Sequence, residues 1–301
     1  MKVFVAGATG AIGRPLIAEL VRQGHAVTAL AHSESSIQFL KESGVAVAVA
    51  NVFDAPAVEH AVRQSQAEVV IDELTALPKS PAEMESAQPG DRKLRIEGGG
   101  NLLRAAQVCG VRRYVQQSSG FFLKSESGLA DESNGMAIDA SPGVAFSARS
   151  YAELESRLSS AQLDGVALRY GFFYGPNTWY SPDGACADQA RRQEIPIIGR
   201  GQGVWSWVHI EDVAMATVAA LTAPPGVYNI VDDDPSPVST WLPAFAKSVG
   251  APPPPHVTEQ QARDAAGEDA VYYDTRLCGA TNGKAKKTLG FKPRRLEWLS
   301  R

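Results

Sequence analysis

Short apolar runs alternate with amphipathic stretches over the first 170 residues. Candidate strands of five or six residues fall at 2–6, 25–30, 45–49, 68–72, 113–118 and 165–170. Between them, apolar positions recur every three or four residues at 13–22, 34–43, 55–64, 91–109 and 147–161. That is the period of a helix with one buried face. Regular strand–helix alternation predicts an α/β fold built on a doubly wound parallel sheet, with helices on both faces. In such a sheet, ligands bind where the connecting loops gather at the carboxyl ends of the strands.

After Gly171 the texture changes to longer loops rich in Gly, Pro and aromatic residues, with turn-like stretches at 195–203 and 232–237. The Pro252–Pro255 run predicts a stiff, extended spacer. Val208 to Ala220 has the pattern of a further strand and helix. Residues 1–170 are therefore expected to form the core and 205–230 to return to it. Residues 171–204 and 231–301 are expected to form a smaller substrate-binding region, interleaved with the core rather than independent of it. No internal repeat is present.

The opening segment carries the strongest chemical signal. Val3 to Ala6 runs into Gly7-Ala-Thr9-Gly10-Ala11-Ile12-Gly13-Arg14, and an amphipathic stretch follows. Gly7 permits a tight turn, Gly10 lets the backbone approach a pyrophosphate, and Gly13 lets the helix pack against the strand. The helix N-terminus then offers free N–H groups and a positive dipole end to the phosphates. A strand–glycine loop–helix at this spacing predicts a dinucleotide-binding core.

Composition removes other classes. A net charge of −4 and a pI near 5.8 leave no basic stripe for a nucleic acid. Lys284-Ala-Lys286-Lys287 is too short for one and reads as a solvated helix face. No stretch approaches the ~20 apolar residues of a membrane span, and the apolar opening run has strand length without a cleavage site. Cys109, Cys186 and Cys278 are odd in number and far apart, which suits reduced thiols in the cytoplasm rather than a disulfide framework. The five histidines show no ligand spacing, so no metal is expected.

Arg112-Arg-Tyr-Val-Gln-Gln-Ser118-Ser119, Tyr174-Gly-Pro176 and Trp207-Val-His-Ile-Glu-Asp-Val213 follow the glycine motif in order. Together they resemble the extended short-chain dehydrogenase/reductases, the NAD(P)-dependent epimerase/dehydratase group, over nearly the whole chain. The resemblance implies a Rossmann core carrying a nicotinamide cofactor. It also implies a Ser or Thr after the fifth strand and Tyr-x-x-x-Lys on the next helix. In that family the tyrosine moves the proton, while the lysine lowers its pKa and holds the nicotinamide ribose.

Ser119, with Ser118 beside it, matches the first position. The second motif is broken. Ser147-Ala-Arg-Ser-Tyr151-Ala-Glu-Leu-Glu155 occupies its place, with either Ser147 or Tyr151 at the tyrosine position. In the first register Tyr151 replaces the lysine; in the second Glu155 does. No lysine lies between Lys124 and Lys247. A free tyrosine has a pKa near ~10, and Glu155 would raise it further rather than lower it. Positions 147, 151 and 155 share one helix face, so Tyr151 could still bond a ribose hydroxyl. His209 and Asp212 read as structural, orienting the loop before a helix.

The second strand ends Ala29-Leu30-Ala31-His32-Ser33, without the acidic residue that usually receives the NAD ribose. His32 and Ser33, with Arg14, suit a 2′-phosphate, which favours NADPH while leaving NADH open. Asn51 and Asp54 are family-like positions near the adenine, and Leu74 and Thr75 are expected to border the cofactor ribose or the nicotinamide. Phe121, Phe122, Phe173, Tyr174, Trp179, Tyr180 and Trp205 crowd the loops expected over the nicotinamide and suit a large flat substrate.

The expectation is an atypical ketoreductase acting on a small-molecule aromatic ketone, as a monomer or homodimer. It resembles the ketoreductases of aromatic-polyketide antibiotic pathways, of the simocyclinone-type angucyclinone kind. Two alternatives stand beside it. One is a sugar-nucleotide epimerase or dehydratase, for which Arg191, Arg192 and Arg200 would meet phosphates. The other is a non-catalytic NADP-binding sensor.

Overall fold

A computed structural model describes residues 1–299. Ser300 and Arg301, the end of the expected 231–301 region, lie outside the described residues. The strands are β1 (Lys2–Ala6), β2 (Ala26–Ala31), β3 (Ala46–Val49), β4 (Val69–Asp72), β5 (Arg113–Ser119), β6 (Asp164–Tyr170), β7 (Phe172–Tyr174), β8 (Ile197–Ile198), β9 (Val204–Trp205), β10 (Trp207–His209), β11 (Gly226–Ile230), β12 (Ser236–Pro237) and β13 (His256–Val257). The helices are α1 (Gly13–Arg22), α2 (Glu34–Glu42), α3 (Ala55–Ser65), α4 (Met84–Lys93), α5 (Gly99–Val108), α6 (Pro142–Ser159), α7 (Ala185–Arg191), α8 (Ile210–Ala219), α9 (Val238–Ser248), α10 (Glu259–Thr275) and α11 (Gly283–Leu289). Seven strands form one parallel sheet in the order β11-β6-β5-β4-β1-β2-β3. This is the doubly wound, Rossmann-type α/β arrangement the sequence pattern predicts.

The sheet is apolar on both faces because helices cover both. On β1, Val3 and Val5 pack with Leu16, Ile17 and Leu20 of α1 and Val213 of α8. Phe4 and Ala6, pointing the other way, pack with Val58 and Val62 of α3 and Leu102 and Ala106 of α5. The period-two alternation of a strand thus sorts one short sequence into two cores. Ser33 caps α2 by accepting from Ser36 N, and Asp54 caps α3 by accepting from Ala57 N.

One predicted helix is built differently. The stretch 91–109 reads as continuous, but α4 starts earlier, at Met84, and tolerates Pro89. It meets α5 through a π-helical turn, Leu94–Gly98. Such turns insert one residue and re-aim the side chains around them. The helix expected at 147–161 starts at Pro142, whose fixed φ suits a first turn.

β11 and α8 return to the main sheet and its α1 face. The segments before and after them build a second core, with Trp207, Trp241, Phe245, Leu277 and Trp298 buried together. The Pro252–Pro255 run lies outside regular structure, and the Pro255 carbonyl accepts from Ile197 N at 2.8 Å. On α11, Lys286 pairs with Asp233, and Lys284 lies over the Tyr228 ring. Among the described residues no helix is long and apolar enough to cross a membrane.

Candidate active site

The glycine loop closes β1 onto α1. Gly7 turns with φ +82°, and a Cβ there would run into the Glu73 carbonyl. A Cβ on Gly13 would run into Gly7 O and the Ala8 backbone. Gly10 is different: it is exposed, and its Cβ would meet only Gly7 O, at 3.4 Å. Two glycines are therefore required by the protein's own packing, and the third leaves an open backbone face at the start of a helix. That surface fits a dinucleotide pyrophosphate.

Arg14 leans from this loop toward α2. Its Nε donates to Thr9 O at 3.1 Å, and its guanidinium lies 4.0 Å from the centre of the Phe39 ring. His32 is exposed, beside Ser33 at the α2 N-cap. Asn51 accepts from Phe53 N at 3.0 Å, and Asp54 is engaged as a cap. These last two make the local turn that starts α3.

Beyond β4 lies a buried polar cluster. Asp72 accepts from Tyr114 Oη at 2.8 Å and from Leu74 N at 3.0 Å. Thr75 Oγ1 donates to Asp91 Oδ1 at 3.0 Å and accepts from Arg95 Nη2 at 2.8 Å, so its hydroxyl is already engaged. Arg95 Nε donates to Asp91 Oδ2 at 2.7 Å. On the opposite face, Glu73 accepts from Tyr170 Oη at 2.6 Å. Burial pushes the Glu73 carboxyl up to about 8, opposed by the Tyr170 hydroxyl and reinforced by Asp72. Its Oε2 and the Oε1 of Gln117 on the neighbouring strand are buried without partners.

The two serines at the end of β5 point to opposite faces. Ser118 is buried and donates to Glu155 Oε1 at 2.6 Å. Glu155 is gripped by Arg169 through Nε at 2.8 Å and Nη2 at 2.7 Å. Ser118 as a candidate catalytic serine beside Ser119 is thereby corrected, because its proton is committed to the Glu155–Arg169 ion pair. Ser119 accepts only a long contact from Phe121 N, 3.4 Å. On α6, Ser147, Tyr151 and Glu155 do share one face. Ser147 accepts from Gln88 Nε2 at 3.2 Å. Tyr151 is half-buried, 6.0 Å from Phe122 between ring centres and 5.2 Å from the Arg95 guanidinium.

The aromatic residues divide. Phe172 is stacked between Phe121, at 4.2 Å and 22°, and Trp205, at 3.9 Å and 18°. Trp205 is buried and donates its Nε1 to Tyr273 O at 2.9 Å. Tyr174 is buried against His209 and Trp298, Phe173 packs on Tyr170, and Tyr180 sits edge-on to Trp207 and Phe245. Phe122 is buried in a smaller cluster with Val144 and Ala148. These side chains are walls and core. Half-buried Phe121, and Trp179, which donates to Pro78 O at 3.0 Å, remain at the edge.

The sequence profile of the NAD-dependent epimerase/dehydratase family matches residues 3–231. The chain belongs to that family. Over its full length it is 38% identical to a 3-diazoavenalumate denitrifying reductase of a Streptomyces species, covering 99% of this chain and 98% of the relative. It is 24% identical to a 4-hydroxy-2-methyl-3-oxo-4-farnesyl-3,4-dihydroquinoline-1-oxide ketoreductase of Stigmatella aurantiaca, covering 98% and 92%. The fold matches UDP-glucose 4-epimerase of Thermotoga maritima with a TM-score of 0.76 at 21% identity, covering 99% and 95%. It also matches the UDP-glucose 4-epimerase of Thermus thermophilus in complex with NAD, with a TM-score of 0.73 at 24% identity, covering 99% and 96%. The protein is an NAD(P)-binding oxidoreductase of the epimerase/dehydratase family.

Membership of this family sharpens what the site lacks and what it has instead. Glu155 is not the charge that acts on Tyr151. Burial raises the Tyr151 hydroxyl, Arg95 opposes that rise, and Asp91 adds to it. Sequence reasoning missed Arg95, Asp91 and Glu73. The only sequence signal was acidic and basic residues in runs that otherwise read as apolar or helical. Arg191 is tied to Asp188, Pro182 O and Val249 O, and Arg192 to Glu194. His209 caps α8 and Asp212 bonds Arg294, both structural as the sequence suggests.

Proposed function

We propose that this protein is an NADPH-dependent ketoreductase acting on a bulky polycyclic aromatic substrate of polyketide-antibiotic type, without a tyrosine–lysine pair. The observation that carries the reading is the Phe121–Phe172–Trp205 stack. Phe172 is covered by Phe121 and Trp205, and Phe121 follows Ser119 by two residues, its backbone N 3.4 Å from the serine hydroxyl. A planar ring laid on Phe121 gains stacking and apolar burial and brings a carbonyl beside Ser119. The bound reduced nicotinamide supplies the hydride. Ser119 then donates a hydrogen bond to the oxygen on which negative charge develops. The proton comes from a phenol of the substrate adjacent to the carbonyl, since α6 offers no lysine to activate Tyr151. Arg14, His32 and Ser33 favour NADPH over NADH by pairing with the 2′-phosphate. Three unpaired cysteines suit a cytoplasmic setting.

A second reading is favoured by the 38% identity to the denitrifying reductase. Hydride addition to the terminal nitrogen of an arenediazonium forms an N–H bond and discharges the cation. Loss of N2 then breaks the C–N bond, and the hydrogen ends on the ring carbon. No oxygen charge develops, so no acid is needed.

The deciding experiment follows nicotinamide absorbance with NADPH and with NADH. The substrates are matched polycyclic ketones, with and without the neighbouring phenol, and an arenediazonium of similar size. Rapid oxidation with the phenolic ketone alone supports the main reading. Equal rates without the phenol remove the substrate-assisted step, and turnover of the diazonium alone moves the assignment to denitrification.

A further inference from the structure

Arg95 is a buried cation that reaches Tyr151 from a different element. It is 4% exposed and sits on the π-helical turn between α4 and α5. Its Nε and Nη2 donate to Asp91 and Thr75, and its guanidinium faces the Tyr151 ring at 5.2 Å. Asp91 returns to the loop after β4, accepting from Thr75 Oγ1 and, at 2.7 Å, from Ala76 N. One guanidinium thus ties together the β4 loop, the π turn and α6. Burial lowers its proton affinity, but Tyr151, Asp91 and Asp72 more than offset that, so it stays charged. Without the inserted residue of the π turn, the helix would carry position 95 around by roughly 100° and off this face.

We propose that Arg95 is the positioning residue for the nicotinamide end of the cofactor, polarising the Tyr151 hydroxyl as a hydrogen-bond donor and locking the Thr75 loop. A cation against the ring draws electron density from the phenol and strengthens its O–H as a donor. The bidentate fork to Asp91 and Thr75 fixes the loop with little freedom left to lose on binding. A charge of this kind stands beside Tyr151 from outside α6, opposing the effect of burial on the hydroxyl without cancelling it. The proposal rests on the reading that Tyr151 and Thr75 border the cofactor, and is independent of which substrate is reduced.

The test is NADPH affinity, measured without turnover by quenching of tryptophan fluorescence, alongside thermal melting of each variant. We expect Tyr151→Phe and Arg95→Met each to weaken NADPH binding at least tenfold, and Arg95→Lys to recover only part of the loss, because an ammonium keeps the charge but not the fork. The double variant is expected to be no weaker than the worse single one, because the two act as a unit. A merely structural Arg95 would lower the melting temperature and leave the affinity of folded protein within twofold, which overturns the proposal. Should Arg95→Met fail to fold, Tyr151→Phe decides alone: affinity within twofold of wild type overturns it. Wild-type protein that does not bind NADPH or NADH overturns the cofactor reading, and the proposal with it.

Discussion

Ser118 donates its hydroxyl proton to Glu155 across 2.6 Å, in a contact that spans 37 residues of sequence. Glu155 and Arg169 form a buried ion pair, and the serine fills one of the carboxylate's remaining acceptor positions. Removing one partner of such a network leaves a buried charge short of a hydrogen bond, a loss of about 1–3 kcal/mol. Ser118→Ala should therefore lower the melting temperature by several degrees and leave kcat within about twofold. Ser119→Ala should do the reverse, with kcat down at least about tenfold and little change in melting. Parallel melts and steady-state NADPH oxidation check both; a larger kcat loss in Ser118→Ala would reverse the assignment.

The glycine loop separates folding from binding. Gly13→Ala forces a Cβ into Gly7 O and should abolish or severely destabilise the fold. Gly10→Ala meets only Gly7 O at 3.4 Å, so the apoprotein should melt within a few degrees of wild type. The added methyl nonetheless occupies the face a pyrophosphate must approach, and NADPH affinity should drop by about tenfold or more. Calorimetric titration of the two variants separates the effects.

Arg14 is held over Phe39 of α2, and the proposed preference for NADPH sets a 2′-phosphate against it. Arg14→Ala should weaken NADPH by about tenfold, the scale of one charge-assisted contact. NADH, lacking that phosphate, should change by less than about twofold. Equal losses for both cofactors would place Arg14 at the pyrophosphate instead.

Glu73 makes stability depend on pH. Its folded pKa is about 8, against a reference value of 4.5, so between those values the folded chain holds a proton that the unfolded chain has released. Its contribution is complete below about pH 4.5, declines as pH rises, and is lost above about pH 8. Asp232 and Asp274, each pushed up to about 7 by burial, bend the profile the same way. Glu73→Gln is neutral throughout and can donate to a neighbour. Its melting temperature should exceed wild type by on the order of 4 °C at pH 8.5, with the gain shrinking toward pH 5. A constant difference across that range would show that Glu73 ionises normally.

Local chemistry determined much of this protein by sequence alone. The strand positions, the doubly wound class and the glycine loop depend on periodicity, turn geometry and hydrogen bonds within a few residues. Gly7, Gly10 and Gly13 could be given separate roles because strand, turn and helix follow one another in the chain. The absence of a lysine from residue 125 to residue 246 was equally plain. Only the tertiary structure decided which charges meet. Arg95 finds Tyr151 from another element, and Ser118, Glu155 and Arg169 close a network across three. The aromatic residues divided for the same reason. Trp205 and Tyr174 look as suited to a pocket as Phe121, but a large ring is buried by whatever packs against it. Here those partners, Tyr273 and Trp298, arrive from the far end of the chain.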